Sequence, residues 1–320
     1  MSENVTKPQG EVSDKRRINT PGILNLLIVY VVWGSTYLAI RVAVRPGAGI
    51  PPFTLGFGRL VLAGMVLFGW SLLRKKKVRI TRSEFLVLAA SGLLLWTAGN
   101  GLVSWSEQRV DSSIAALLVA TVPLWTTLFE SILDRKLPSL MLAFSLLIGF
   151  FGIALISTPT LQTGTSADAL SILALLISPA CWALGSILQN RRPVSLEPVT
   201  SSAYQQLFAA VGFAVLVFIT NEPLPDPSRE AWLAWGYLLI FGSIIAFTSY
   251  VKVLQLLPMS IAMTVAYVNP VIAVILGALI LGESITITTV AGAALVLIGV
   301  AGVFRARYGK PSKGSRVAAG

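Results

Sequence analysis

Ten runs of mostly apolar residues follow one another along the chain, separated by short polar connections, at about 22–43, 52–73, 85–105, 112–133, 139–157, 169–190, 199–219, 231–252, 259–281 and 286–304. A helix crossing hydrocarbon needs roughly 20 predominantly apolar residues, because without water every backbone N–H and C=O must be bonded inside the segment. The pattern therefore predicts an all-α integral membrane protein with ten transmembrane helices, TM1 to TM10.

The charges give this bundle a direction. All but five of the 25 Lys and Arg residues fall on the N-terminal segment, the TM2/TM3, TM4/TM5, TM6/TM7 and TM8/TM9 connections and the C-terminal segment. The alternate connections hold only Arg45, Arg109 and Arg229, while Arg41 and Arg59 lie inside helices. By the positive-inside rule both termini are expected in the cytoplasm, with residues 1–21 as a disordered leader and 305–320 as a cytoplasmic tail. The leader is charged and lacks the apolar stretch and small-residue site of a cleaved signal.

Composition narrows the function. With 55% apolar and 12% charged residues, nothing in the chain reads as a soluble domain. The net charge of +11 is concentrated in clusters such as Arg74, Lys75, Lys76, Lys77, Arg79 and Arg82 beside a span. Topology and anionic headgroups account for such a cluster, and no nucleic-acid partner is expected. A single cysteine, Cys181, excludes an internal disulfide, and histidine is absent. Without histidine there is no zinc-protease motif and no Ser-His pair, and no two acids are spaced for a metal within a span. A membrane-embedded enzyme is thus the disfavoured alternative, and neither cofactor nor metal is expected.

The chain also repeats itself. Ser113-Ile114-Ala115 aligns with Ser260-Ile261-Ala262, and the same offset sets Pro123 on Pro270 and Gly152 on Gly299. Trp33-Gly34-Ser35 has a looser echo in Trp182, Gly185 and Ser186. Two repeats of five helices, residues 22–157 and 169–304, are expected to lie inverted across the membrane, since five is odd. That 5+5 layout is common among secondary transporters, whose substrate sites lie near the midplane between the halves. Glycines inside the spans, among them Gly56, Gly64, Gly149, Gly152, Gly292 and Gly299, read as helix-packing positions.

Particular residues then resemble a family. Trp33-Gly34-Ser35-Thr36-Tyr37-Leu38-Ala39-Ile40, Arg59, Asn100-Gly101, Val119-Ala120-Thr121-Val122-Pro123, Ala266-Tyr267-Val268-Asn269-Pro270 and Leu281-Gly282-Glu283 resemble, in order, the EamA-type proteins of the drug/metabolite transporter superfamily, and among them the YedA-like inner-membrane exporters. The resemblance implies a multi-pass inner-membrane carrier that exports amino acids, metabolites or toxic small molecules. A flippase for an amphipathic lipid carrier is the alternative within transport. The partners implied are a small-molecule substrate and the bilayer, and the oligomeric state is left open, a monomer being compatible with it.

A carrier needs a polar cavity with irregular backbone between its helices. The candidate substrate-binding residues are Trp33, Ser35, Thr36 and Tyr37 in TM1, Trp96, Thr97, Asn100 and Ser104 in TM3, and Thr121 and Trp125 in TM4. The second half offers Trp182 and Ser186 in TM6, Ser243 in TM8, and Tyr267 and Asn269 in TM9. Pro123 and Pro270 are candidate hinges, because each removes an amide donor in mid-span. Arg59 is a candidate charge site for a substrate anion or a structural pair, and Arg41 reads as a snorkelling residue. Glu130, one turn from the cytoplasmic end of TM4, is the candidate coupling acid, yet peripheral. The expectation is facilitated export or weak proton coupling. Glu283 is expected to stabilise the start of TM10 through the helix dipole.

Overall fold

A computed structural model describes residues 19–110, 112–156, 169–281 and 286–308, and all its regular structure is helical among the described residues. In chain order the helices are α1 (Thr20–Val44), α2 (Pro52–Leu73), α3 (Arg82–Ser106), α4 in two pieces (Ser112–Val119 and Val122–Asp134) and α5 (Leu140–Ile156). Then follow α6 (Ala169–Arg191), α7 (Pro198–Ile219), α8 (Arg229–Leu256), α9 in two pieces (Met259–Ala262 and Val265–Leu281) and α10 (Ile287–Tyr308). Eight of the described helices are long and apolar enough to cross a membrane, and Leu140–Ile156 and Met259–Ile272 are shorter apolar helices. Most of the leader, Glu283 and the end of the tail lie outside the described residues, as do the side chains of Ser113 and Ile114.

Local chemistry sets the helix ends. Asn19 caps α1 by accepting from the Gly22 amide at 3.0 Å, with Pro21 in the first turn. Thr81 and Glu84 close a reciprocal capping box on α3, and Ser228 caps α8 through the Ala231 amide. The start of α2 has no cap in its own sequence; Glu222, beyond the end of α7, accepts from the Phe53 and Thr54 amides at 2.9 and 2.7 Å. Such caps satisfy amides that the helix itself leaves free. Lys75, Arg135 and Asn221 take left-handed backbone conformations just past α2, α4 and α7, ending those helices.

The two most extensive helix pairings are α5 with α10 and α2 with α7. Glycine permits the first: a Cβ on Gly152 would stand 2.7 Å from the Gly292 carbonyl, and one on Gly299 would stand 2.6 Å from the Gly149 amide. Close backbone approach of this kind supports helix association where no hydrophobic effect drives it. The outer surface is apolar, with exposed Leu27, Val31, Met65, Phe144, Phe151 and Leu297.

Loops that the charge pattern assigns to one side do meet. At the basic end Lys76 pairs with Glu197 at 2.7 Å, Asp134 with Arg191 at 2.7 Å, and Ser195 is bound by Glu84. At the sparsely charged end Arg45 pairs with Glu230, and the Gly49 carbonyl accepts from the Asp226 amide at 2.9 Å. Gly49 has φ of +85°, and a Cβ there would strike the Asp226 carbonyl, so this tight crossing requires glycine.

Candidate functional site

Irregular backbone surrounds the middle of the bundle. Helix α3 widens into a π-helical stretch at Leu93–Asn100 and α8 does so at Leu238–Ala246. Helix α4 is interrupted before Pro123, which therefore sits in the first turn of the second piece, where its missing amide costs nothing. Helix α9 breaks at Met263 and Thr264, leaving Pro270 inside the longer piece. The two prolines thus align in sequence but occupy different local positions. Widened turns free carbonyls, and neighbours use them: Trp33 Nε1 donates to the Gly242 carbonyl at 3.3 Å and Ser178 Oγ to the Gly99 carbonyl at 2.9 Å.

Between these segments lies a cavity of about 90 Å³. Its wall is formed by Trp33, Thr36, Tyr37 and Ile40 of α1, Arg59 of α2, Trp96, Gly99, Asn100 and Val103 of α3, and Val119 and Val122 of α4. Ser178, Pro179 and Trp182 of α6, Gly242 of α8, and Val265, Ala266 and Asn269 of α9 complete it. Sites that hold metabolite-sized ligands span roughly 300–1,000 Å³, and this cavity is smaller.

Arg59 is the charge in this wall. It is 2% exposed, its Nη2 donates to Asn100 Oδ1 at 3.3 Å, and its guanidinium lies 4.8 Å from the centre of the Trp96 ring. None of the described ion pairs includes it. Arg59 Nε, Trp96 Nε1 and Asn269 Oδ1 are all buried without a hydrogen-bond partner. Two donors and one acceptor therefore stand unused around one apolar space, although buried polar groups are ordinarily satisfied.

The aromatic side of the cavity is braced from behind. Trp33 packs edge-on to Trp182 at 5.3 Å and against Tyr250 at 4.9 Å. The Tyr250 hydroxyl accepts from Trp182 Nε1 at 3.0 Å and shares a 2.6 Å hydrogen bond with Ser186 Oγ. Aromatic pairs at such spacings contribute about 0.5–1.5 kcal/mol beyond their burial.

Of the candidate residues, Trp33, Thr36, Tyr37, Arg59, Trp96, Asn100, Trp182 and Asn269 come together on the cavity wall. The others stand around it. Ser35 bonds Tyr237 at 2.5 Å, Thr97 donates to the Ala209 carbonyl, and Thr121 donates to the Leu118 carbonyl within its own turn. Ser104 and Ser243 are buried beside the path with unpartnered hydroxyls. Trp125 stacks on Phe129, and Tyr267 points to α5, where its hydroxyl donates to the Leu146 carbonyl at 2.9 Å. Glu130 is half-buried near Arg191 at the basic end, away from the cavity wall.

Two features escaped the sequence reading. Tyr250 lies close to a helix end, and only its partners Trp182 and Ser186 reveal its role as a brace. The other is Glu107, just beyond the last residue of α3, where an acid next to Arg109 has the look of an interfacial group. It is fully buried, and burial pushes its carboxyl up to about 8 against the opposing pull of the Arg41 guanidinium. Arg41 does not simply snorkel: its Nη1 donates to the Glu107 carbonyl.

A helical bundle with apolar outer faces and an aromatic, partly polar cavity at its centre has the build of a membrane carrier. The chain belongs to the EamA-like transporter family, whose model matches residues 20–158 and again 169–305. It is 36% identical over 293 residues to the inner membrane transporter YedA of Escherichia coli K12, covering 90% of this chain and 92% of that protein. It is also 28% identical over 265 residues to the S-adenosylmethionine/S-adenosylhomocysteine transporter of Chlamydia trachomatis serovar L2, covering 79% of this chain and 80% of that one. A solved crystal structure shares the fold with a TM-score of 0.73 at 20% identity, over 91% of this chain and 99% of that chain.

Proposed function

We propose that the protein is a ten-span secondary transporter that exports small amphipathic solutes, amino acids or toxic compounds among them, across the inner membrane by alternating access. The observation that carries this reading is the set of unused polar atoms on Arg59, Trp96 and Asn269 around one aromatic cavity. A solute with a planar apolar body and an anionic or carbonyl group would lay the first against Trp33, Trp96 and Trp182 and offer the second to Arg59. Arginine suits that role because its fork of donors matches a carboxylate.

Features recurring five helices apart support an inverted 5+5 repeat. Helix α2 pairs with α7 and α5 with α10, both α3 and α8 carry π-helical stretches, and both α4 and α9 are broken. With the basic end facing the cytoplasm, the sparsely charged end around Arg45, Glu107 and Glu222 is periplasmic. A growth screen of an expressing strain against amino acids, their analogues and aromatic toxins, followed by efflux of each hit from preloaded vesicles, tests the reading. Efflux that is lost in the Arg59→Ala variant supports it, and hits whose efflux ignores that change overturn the assignment of the cavity.

A further inference from the structure

Glu107 lies one turn beyond Val103 of the cavity wall, and its backbone is fixed from two helices. Its amide bonds the Val103 carbonyl at 2.9 Å, and its own carbonyl accepts from Arg41 of α1. The side chain is fully buried, and among the described residues neither carboxylate oxygen has a hydrogen-bond partner. Arg41 gives its donor to the backbone, and no ion pair joins the two side chains.

Among the described residues the groups facing this carboxyl are few. Helix α1 brings Tyr37 and Arg41, while the Arg59 guanidinium of α2 is engaged with Asn100 and Trp96. The stretch of α6 from Ala169 to Ser178 has no titratable residue, nor does the first piece of α4. On its own segment Arg109 is drawn away over the Trp105 ring at 4.8 Å. An ionised carboxylate here would have lost its water with no hydrogen bond among the described residues to replace it, a cost that protonation removes. Its raised titration has the same cause. Tyr37, which has both Glu107 and Asn269 in its surroundings, lines the wall and so links the acid to the cavity.

We propose that Glu107 is the proton-binding site of this carrier, a carboxylic acid while the sparsely charged end is closed and a carboxylate once that end opens. On opening, the O–H bond breaks, the proton passes to incoming water, and the electron pair stays on the carboxylate beside Arg41. Closure takes a proton back. Because the closed state binds one more proton, rising pH favours the open state through linkage. The proposal rests on the reading of the bundle as a carrier, but its test needs no substrate, so a wrong substrate class leaves it standing.

The test places a reporter thiol on the cavity wall of the full chain, Val103→Cys in a Cys181→Ser background. Labelling by a membrane-impermeant maleimide in intact cells is followed with pH. Rates are normalised to Leu224→Cys, a fully exposed position at the same end, which cancels the reagent's own pH dependence. The normalised rate is expected to rise about tenfold between about pH 6 and about pH 9, a range that brackets the change of charge. Glu107→Gln, which imitates the protonated acid, should be slow and flat, and Glu107→Asp should restore a response. Arg41→Gln removes a cation that favours the carboxylate, so its midpoint should move to higher pH. A flat response in the parent, a response surviving in Glu107→Gln, or an unmoved midpoint in Arg41→Gln each overturns the proposal.

Discussion

The guanidinium of Arg59 stands 4.8 Å from the centre of the Trp96 ring, inside the bundle and with no acid paired to it among the described residues. A charge in that place weakens the fold, since the ring and the Asn100 amide replace only part of the lost hydration. A chain gains by retaining it only if it acts on something that enters the cavity. Arg59→Met is therefore expected to raise the thermal midpoint of the purified protein, by about 2 °C or more for each kcal/mol recovered, while reducing efflux at least tenfold. A midpoint that falls instead would make Arg59 a structural residue.

The bundle was legible in the sequence because hydrocarbon imposes both composition and length, and because the basic residues mark one side. Half of the candidate site was legible for the same reason, since a tryptophan, asparagine or arginine within a span stands out from its neighbours. What the sequence hid depends on contacts between helices. Gly99 and Gly242 enter the wall through widened turns that no local pattern announces. Glu107 was hidden by its place at a span end, where only Arg41 of another helix and the neighbouring walls show that it is buried.

The seam between α5 and α10 has no slack at Gly152, where an added Cβ would lie 2.7 Å from both the Gly292 carbonyl and the Val296 amide. Backbone cannot turn aside as a flexible side chain can. Gly152→Ala should cost about 1–3 kcal/mol, the usual range for overpacking, and lower the amount of protein in the membrane. Gly69→Ala, with nothing within 4 Å of the new carbon, should leave that amount unchanged. Immunoblots of membrane fractions compare the two.

Side-specific contacts between loops make the topology testable in pairs. Reporter fusions after Arg79 and Arg192 should be active in the cytoplasm, and fusions after Ser157 and Thr220 in the periplasm. A reversal of either pair would remove the orientation and the inverted repeat together, because both follow from five helices in each half.

Asn269 tests whether an unpartnered acceptor is kept for a ligand. Its Oδ1 bonds nothing among the described residues, so Asn269→Ala should leave membrane levels near those of the parent. Efflux should fall about 2- to 10-fold, the worth of one hydrogen bond of about 0.5–1.5 kcal/mol. Loss of the protein from the membrane would instead make Asn269 a helix-bonding residue.

Energy coupling separates the two acids that the sequence and the structure bring forward. Glu130 lies at the basic end, where Arg191 offers it an opposite charge and is itself bridged to Asp134 at 2.7 Å. Half-buried beside that cation and away from the cavity wall, Glu130 does not face the space in which a substrate would sit. Glu130→Gln should therefore keep both downhill efflux and its response to an imposed pH gradient. If the gradient response disappeared while downhill exchange continued, the proton would travel through Glu130, and the burial that distinguishes Glu107 would have no part in coupling.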